Sequence, residues 1–131
     1  MSMPETGPHT KDYRADNTAE PALALVYCTF PTMEIAKSVA GPLIAQRLAA
    51  CVNLIPGMVA IYEWEEALHE DPEVAAVIKT RAELVERLFA AIAAHHPYAN
   101  PALISFDVGS SSAAYRTWLI EQTRHPVPRR S

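Results

Sequence analysis

Cys28, His96, Lys79 and Tyr98 are the residues whose types and settings could do chemistry in this chain. Cys28 ends a run of strand formers, where a thiolate could bind a soft ion such as Cu(I). Alternatively it is a small buried hydrophobe, as strand cysteines often are. Cys51 opens a second strand with the same two readings, and the pair lacks the short spacing of a preformed Cys-x-x-Cys site. His95 and His96 are adjacent, and neighbours on a helix point about 100° apart, so they cannot share one ion from one face. The expectation is that His95 packs in an apolar stripe. His96 then either caps the last carbonyls at the negative helix end or meets copper, which tops the divalent affinity series. Lys79 closes an apolar strand just before a helix start. Its ammonium could build a small-anion site there, or pair with Glu73 or Glu65. Tyr62, Trp64 and Trp118 read as core or interface anchors, and Tyr98, between Pro97 and Pro101, as the wall of a cleft.

Other chemistries lack their residues. Thr29-Phe30-Pro31-Thr32-Met33 has no glycine from which to build an acylphosphatase-like anion cradle, and the order offers no Cys-His or Ser-His-Asp set. A non-enzymatic protein is expected. RNA recognition on a sheet needs stacking aromatics on the third strand, which here is Glu73 to Lys79 (EVAAVIK). The net charge of −4 also argues against nucleic acid and anionic membranes as partners. No run reaches transmembrane length and no secretory apolar segment opens the chain, so a cytoplasmic protein with reduced thiols is expected.

The elements that must position these residues are legible along the 131 positions. A polar stretch over 1–21 reads as a disordered tail, 22–124 as one domain and 125–131 as a second flexible tail. Leu23 to Thr29 is a strand apolar on both faces. Thr32 caps a helix carrying Ile35, Val39, Leu43, Ile44 and Leu48, with a kink, not a break, at Gly41-Pro42. Cys51 to Trp64 is one extended stretch bent at Pro56-Gly57, and Glu65 to Pro72 is the hairpin connection. Glu73 to Lys79 is the third strand. Thr80-Arg81-Ala82-Glu83 matches a capping box opening the second helix, with Leu84, Leu88, Ala91, Ile92 and His95 as its stripe. Leu103 to Val108 is the fourth strand, and Ser111 or Ser112 caps a last helix.

This order predicts an α+β fold, the ferredoxin-like split βαβ sandwich, with an antiparallel sheet, both long helices on one face and an extra C-terminal helix. A solvated second face should alternate apolar with polar residues, and these strands do not. Another copy of the same chain is the expected cover.

The sequence resembles the divalent-cation tolerance protein CutA family from about Leu25 to Trp118. The resemblance rests on Cys28-Thr29, on Arg47-Leu48-Ala49-Ala50-Cys51-Val52-Asn53-Leu54-Ile55-Pro56-Gly57, and on Tyr62 and Trp64. It continues through Glu73, Lys79-Thr80, His95-His96-Pro97-Tyr98, Pro101, Tyr115 and Trp118. It implies a homotrimer, similar in architecture to PII-type signalling trimers, associated with copper and other divalent cations at sites near subunit interfaces. From their types and settings, Cys28 and His96 are the candidate metal ligands, and Lys79, Tyr98, Tyr62 and Trp64 the candidate ligand cleft. The alternative is a PII-like trimer that binds a small anion or metabolite without a metal role. Against the family pattern, Glu66 stands where glycine is usual, Ala102 replaces a glutamate, and Phe106-Asp107-Val108 replaces Leu-Pro-Val.

Overall fold

A computed structural model describes residues 15–16 and 21–124; the expected tails lie outside these residues except for Ala15–Asp16. Ala15–Asp16 form a short strand β1. The body then runs β2 (Leu23–Phe30), α1 (Met33–Ala45), β3 (Cys51–Trp64) and β4 (Ala67–Arg81). A 3-10 turn (Ala82–Leu84) leads into α2 (Val85–His95), followed by β5 (Ile104–Asp107), β6 (Ser110–Ser111) and α3 (Ala113–Gln122). The main sheet has the order β3-β4-β2-β5 and every pair in it is antiparallel, which is the ferredoxin-like topology. Ala15 and Asp16 pair antiparallel with Ser111 and Ser110 in a separate two-stranded ribbon.

Val26, Cys28 and Phe30 of β2 and Val74, Ala76 and Ile78 of β4 point to one face, where they bury with Ala36, Val39 and Leu43 of α1 and Leu88 and Ile92 of α2. The alternate residues face the other way. There α3 covers one end, with Leu119 on Leu23 and Ala50. The sheet is thus sandwiched at that end and bare on its second face at the other.

Thr32 caps α1 as expected, its Oγ1 accepting from the Ile35 N–H at 3.1 Å. One helix passes through Pro42, and the Gln46 N–H still reaches the Pro42 carbonyl at 2.9 Å. Arg47 stops it with φ +63, which lets the Leu48 N–H turn back to the Leu43 carbonyl. Ile44, expected in the buried stripe, is exposed.

Two local expectations are overturned. The connection between β3 and β4 is not Glu65 to Pro72 but a turn at Glu65-Glu66, both at positive φ (+51 and +65), with Ala67 to Pro72 already paired in β4. Such φ signs at both central residues suit the right-handed twist of a tight hairpin. The capping box also fails. Thr80 stays in β4, fully buried, and donates its hydroxyl to the Leu48 carbonyl at 2.8 Å. The helix opens instead through the 3-10 turn after Arg81, with no side-chain cap.

β3 and β4 are 14 and 15 residues long and outrun the helices. The pairing slips between Ile55 and Met58, at the expected Pro56-Gly57 bend, where Gly57 takes φ +84. Beyond it the hairpin exposes Val59, Ile61 and Leu68 on one side and Tyr62 and Trp64 on the other. No helix among the described residues is long and apolar enough to cross a membrane.

Candidate functional site

Past the bend, alternation places Ala60, Tyr62 and Trp64 of β3 beside Asp71, His69 and Ala67 of β4 in register, on the face that carries Glu73. The segment after α2 crosses the same end of the sheet and brings Tyr98 down onto Glu73. The result is a cavity of about 640 Å³ walled by Tyr62, Trp64, Tyr98, Asp71 and Glu73, with Pro31 and Pro72 among its apolar lining.

Its polar groups are linked. The Tyr98 hydroxyl donates to Glu73 Oε2 at 2.7 Å, and Thr29 Oγ1 lies 3.5 Å from the same oxygen. The Tyr62 hydroxyl donates to Asp71 Oδ2, and its ring stacks on His69 with centroids 5.3 Å apart. Both phenols are held in the protonated form. For Tyr98 the main cause is burial, followed by its bond to Glu73; for Tyr62 it is the bond to Asp71.

Tyr62, Trp64 and Tyr98 therefore meet in one pocket, but Lys79 does not join them. It sits at the far end of β4, between Leu25 and Cys51 in register, with its ammonium 5.4 Å from the centre of the Tyr115 ring. It is no helix-terminus anion site, because the chain stays extended to Arg81. Glu73, one of its expected partners, is taken by Tyr98. The ion pair found among the described residues is Arg81 with Glu83, at 2.8 Å.

The two candidate metal ligands are placed for other work. His96, not His95, is the buried histidine: α2 ends at His95, and His96 turns to extended backbone (φ −80, ψ 138), which swings its ring inward while His95 stays exposed. Its Nε2–H donates to the Thr29 carbonyl at 2.7 Å, and its Nδ1 accepts from the Tyr98 N–H at 3.1 Å. Phe30 stacks on the ring at 4.8 Å. Both nitrogens are committed, so the ring has no lone pair for a cation. Cys28 is fully buried in the helix-side core and its Sγ lies 3.6 Å from the Thr29 carbonyl. Burial pushes the thiol up to about 12, so the metal-binding thiolate does not form near neutral pH. Cys28 and His96 converge on one carbonyl oxygen and do not fit a shared cation. Among the described residues no group of three or more His, Cys, Asp or Glu side chains is placed to hold a metal ion.

A family model described as CutA1 divalent ion tolerance protein matches residues 24–122. The chain belongs to this CutA1 family. A divalent-cation tolerance protein CutA of Pyrococcus horikoshii is 44% identical over 102 residues, covering 78% of this chain and 99% of the relative. Chloroplastic CutA proteins of Arabidopsis thaliana and Oryza sativa are 39% and 37% identical, but this chain spans 56% and 60% of their lengths. Among solved structures, CutA1 of Pyrococcus horikoshii superposes with a TM-score of 0.74 at 44% identity, covering 77% of this chain and 98% of that one. CutA of Synechococcus elongatus superposes with a TM-score of 0.79 at 29% identity, covering 85% and 96%. The CutA1 match covers both halves of the pocket, the hairpin and the His-Pro-Tyr segment.

Asp71 is not legible as a site residue in sequence because Glu65 to Pro72 has the polar composition of a loop. Strict alternation back from Glu73 would have found it.

Proposed function

We propose that the protein works as a homotrimer in divalent-cation tolerance, without catalysis, by holding a small ligand in the pocket of Tyr62, Trp64, Tyr98 and Glu73. The observation that carries this reading is the hairpin beyond the bend, whose large apolar side chains are bare on both faces; Leu68 is 73% exposed and Trp64 63%. A protrusion greasy on two sides is stable in water when neighbouring copies cover it. The count of three follows from the family resemblance. The pocket size supports a small molecule, since ligand cavities run from about 300 to 1,000 Å³. The free thiols of Cys28 and Cys51 support a cytoplasmic setting.

Sedimentation velocity across a dilution series tests the assembly. A discrete species of three subunits is expected, and a stably folded lone subunit overturns the reading.

Copper binding is the second reading, favoured by the family's description as divalent ion tolerance proteins. On this reading Cu(II) is met by exposed donors such as His95, or by donors from more than one copy, and not by Cys28 or His96. Calorimetric titration of Cu(II) and Zn(II) into tag-free protein tests it, and the absence of saturable heat overturns it. The anion-binding alternative is less supported within one copy, where Lys79 lies over Tyr115 and not beside the pocket.

A further inference from the structure

The pocket is chemically lopsided. Its walls carry three aromatic rings and two carboxylates, and among the described residues of this chain no lysine or arginine lines it. Lys79, the ammonium on the same face of β4, is six residues from Glu73, about 20 Å along a strand. The hairpin around the pocket adds Glu63, Glu65, Glu66 and Glu70, with His69 as its one basic side chain between Met58 and Glu73. The local field is therefore negative, and low-dielectric aromatic walls focus it into the cavity.

We propose that this pocket receives an organic ammonium ion, a small molecule with a primary or alkylated ammonium head held against the Tyr62, Trp64 and Tyr98 rings and the Asp71 and Glu73 carboxylates. This rests on the ligand-pocket half of the proposed function and names the ligand's class. Aromatic rings attract cations through their negative faces, and tryptophan does so best. Among the described residues, both hydroxyls at Glu73 approach Oε2, so Oε1 keeps its lone pairs for a ligand donor. The tyrosine hydroxyls hold the two carboxylates in place, and charge on both is what a bound cation would answer. A bare metal ion suits the site poorly, because the cavity is far larger than an ion and offers two carboxylates, not a closed ligand set. A neutral guest would answer neither carboxylate's charge beyond the hydroxyls already on them, and an anionic one would be repelled by both.

The test is calorimetric titration of the full chain, as assembled in solution, with choline and with its neutral isostere 3,3-dimethylbutan-1-ol. Choline is expected to bind saturably, with the isostere about tenfold weaker or more. Glu73→Gln should weaken choline by about tenfold and leave the isostere unchanged. Asp71→Asn serves as a second carboxylate variant, with circular dichroism confirming that each variant folds. Equal binding of choline and isostere overturns the ammonium assignment and leaves a ligand pocket standing. No saturable choline binding by a protein that still sediments as an assembly also overturns it, as when a cationic side chain from a neighbouring copy fills the cavity. No binding of either probe by protein that sediments as lone subunits removes the proposed function as well.

Discussion

His96 Nε2–H donates to the Thr29 carbonyl across 2.7 Å, and that bond joins the chain leaving α2 to the end of β2. The Cys28 thiol approaches the same oxygen at 3.6 Å, and Tyr98, two residues after the histidine, reaches Glu73 on the adjacent strand. One imidazole thus fixes the segment that forms a wall of the pocket.

His96→Ala removes a buried ring, its stacking on Phe30 and two hydrogen bonds, leaving the Thr29 carbonyl short of a strong donor. A loss of about 3 kcal/mol is expected in urea unfolding of the assembled protein. Cu(II) titration of the same variant should match the parent, because no nitrogen of this ring is free to bind.

The Cys28 thiol should resist alkylation in the native protein while Cys51, half-buried, reacts. The sign of its pH effect follows from the shift. Burial raises the native value from 9.0 to about 12, so the unfolded chain ionises first. The stabilisation held by the neutral thiol is complete below pH 9 and is lost as pH climbs from 9 towards 12. Tyr62 and Tyr98, also raised, act in the same direction at higher pH. Cys28→Ala should flatten the early part of that decline in denaturation midpoints measured against pH.

Glu66 holds φ +65 at the hairpin tip, a conformation that costs a residue with a Cβ about 1 kcal/mol relative to glycine. Glu66→Gly is expected to raise stability by about that amount and, because Glu66 adds charge near the pocket without lining it, to weaken choline binding far less than Glu73→Gln does. Chemical denaturation with choline titration as a companion checks both halves.

Leu68→Glu places a charge on the barest apolar position of the hairpin. Sedimentation should shift towards smaller species, with the helix-side core intact by circular dichroism. An unchanged assembly would mean that this side of the hairpin is not covered by a neighbour.

The strand order, the Thr32 cap and the bend at Pro56-Gly57 were legible in sequence because each depends on local chemistry and period-two or helical patterning. The failures share one cause: a backbone change that local pattern does not announce. Thr80 matched a capping motif, yet β4 continues through it and spends its hydroxyl on the Leu48 carbonyl, a long-range partner. His95 and His96 exchanged roles because the helix ends between them, so helical spacing no longer governs the second ring. Lys79 reads as a cleft residue beside Tyr62 and Tyr98 because it closes an apolar strand just before a helix start. Distance along β4 separates them, and the pocket's acid Asp71 emerged once Ala67 to Pro72 proved to be strand.

Arg81 reaches the buried C-cap of α3, with Nε on Thr123 Oγ1 at 2.9 Å and a terminal nitrogen on the Thr123 carbonyl at 2.7 Å. A positive charge there also meets the negative end of the helix. Cutting back through Thr123 strips the guanidinium of both these acceptors, leaving it its ion pair with Glu83, and loosens the lid that Leu119 forms over Leu23.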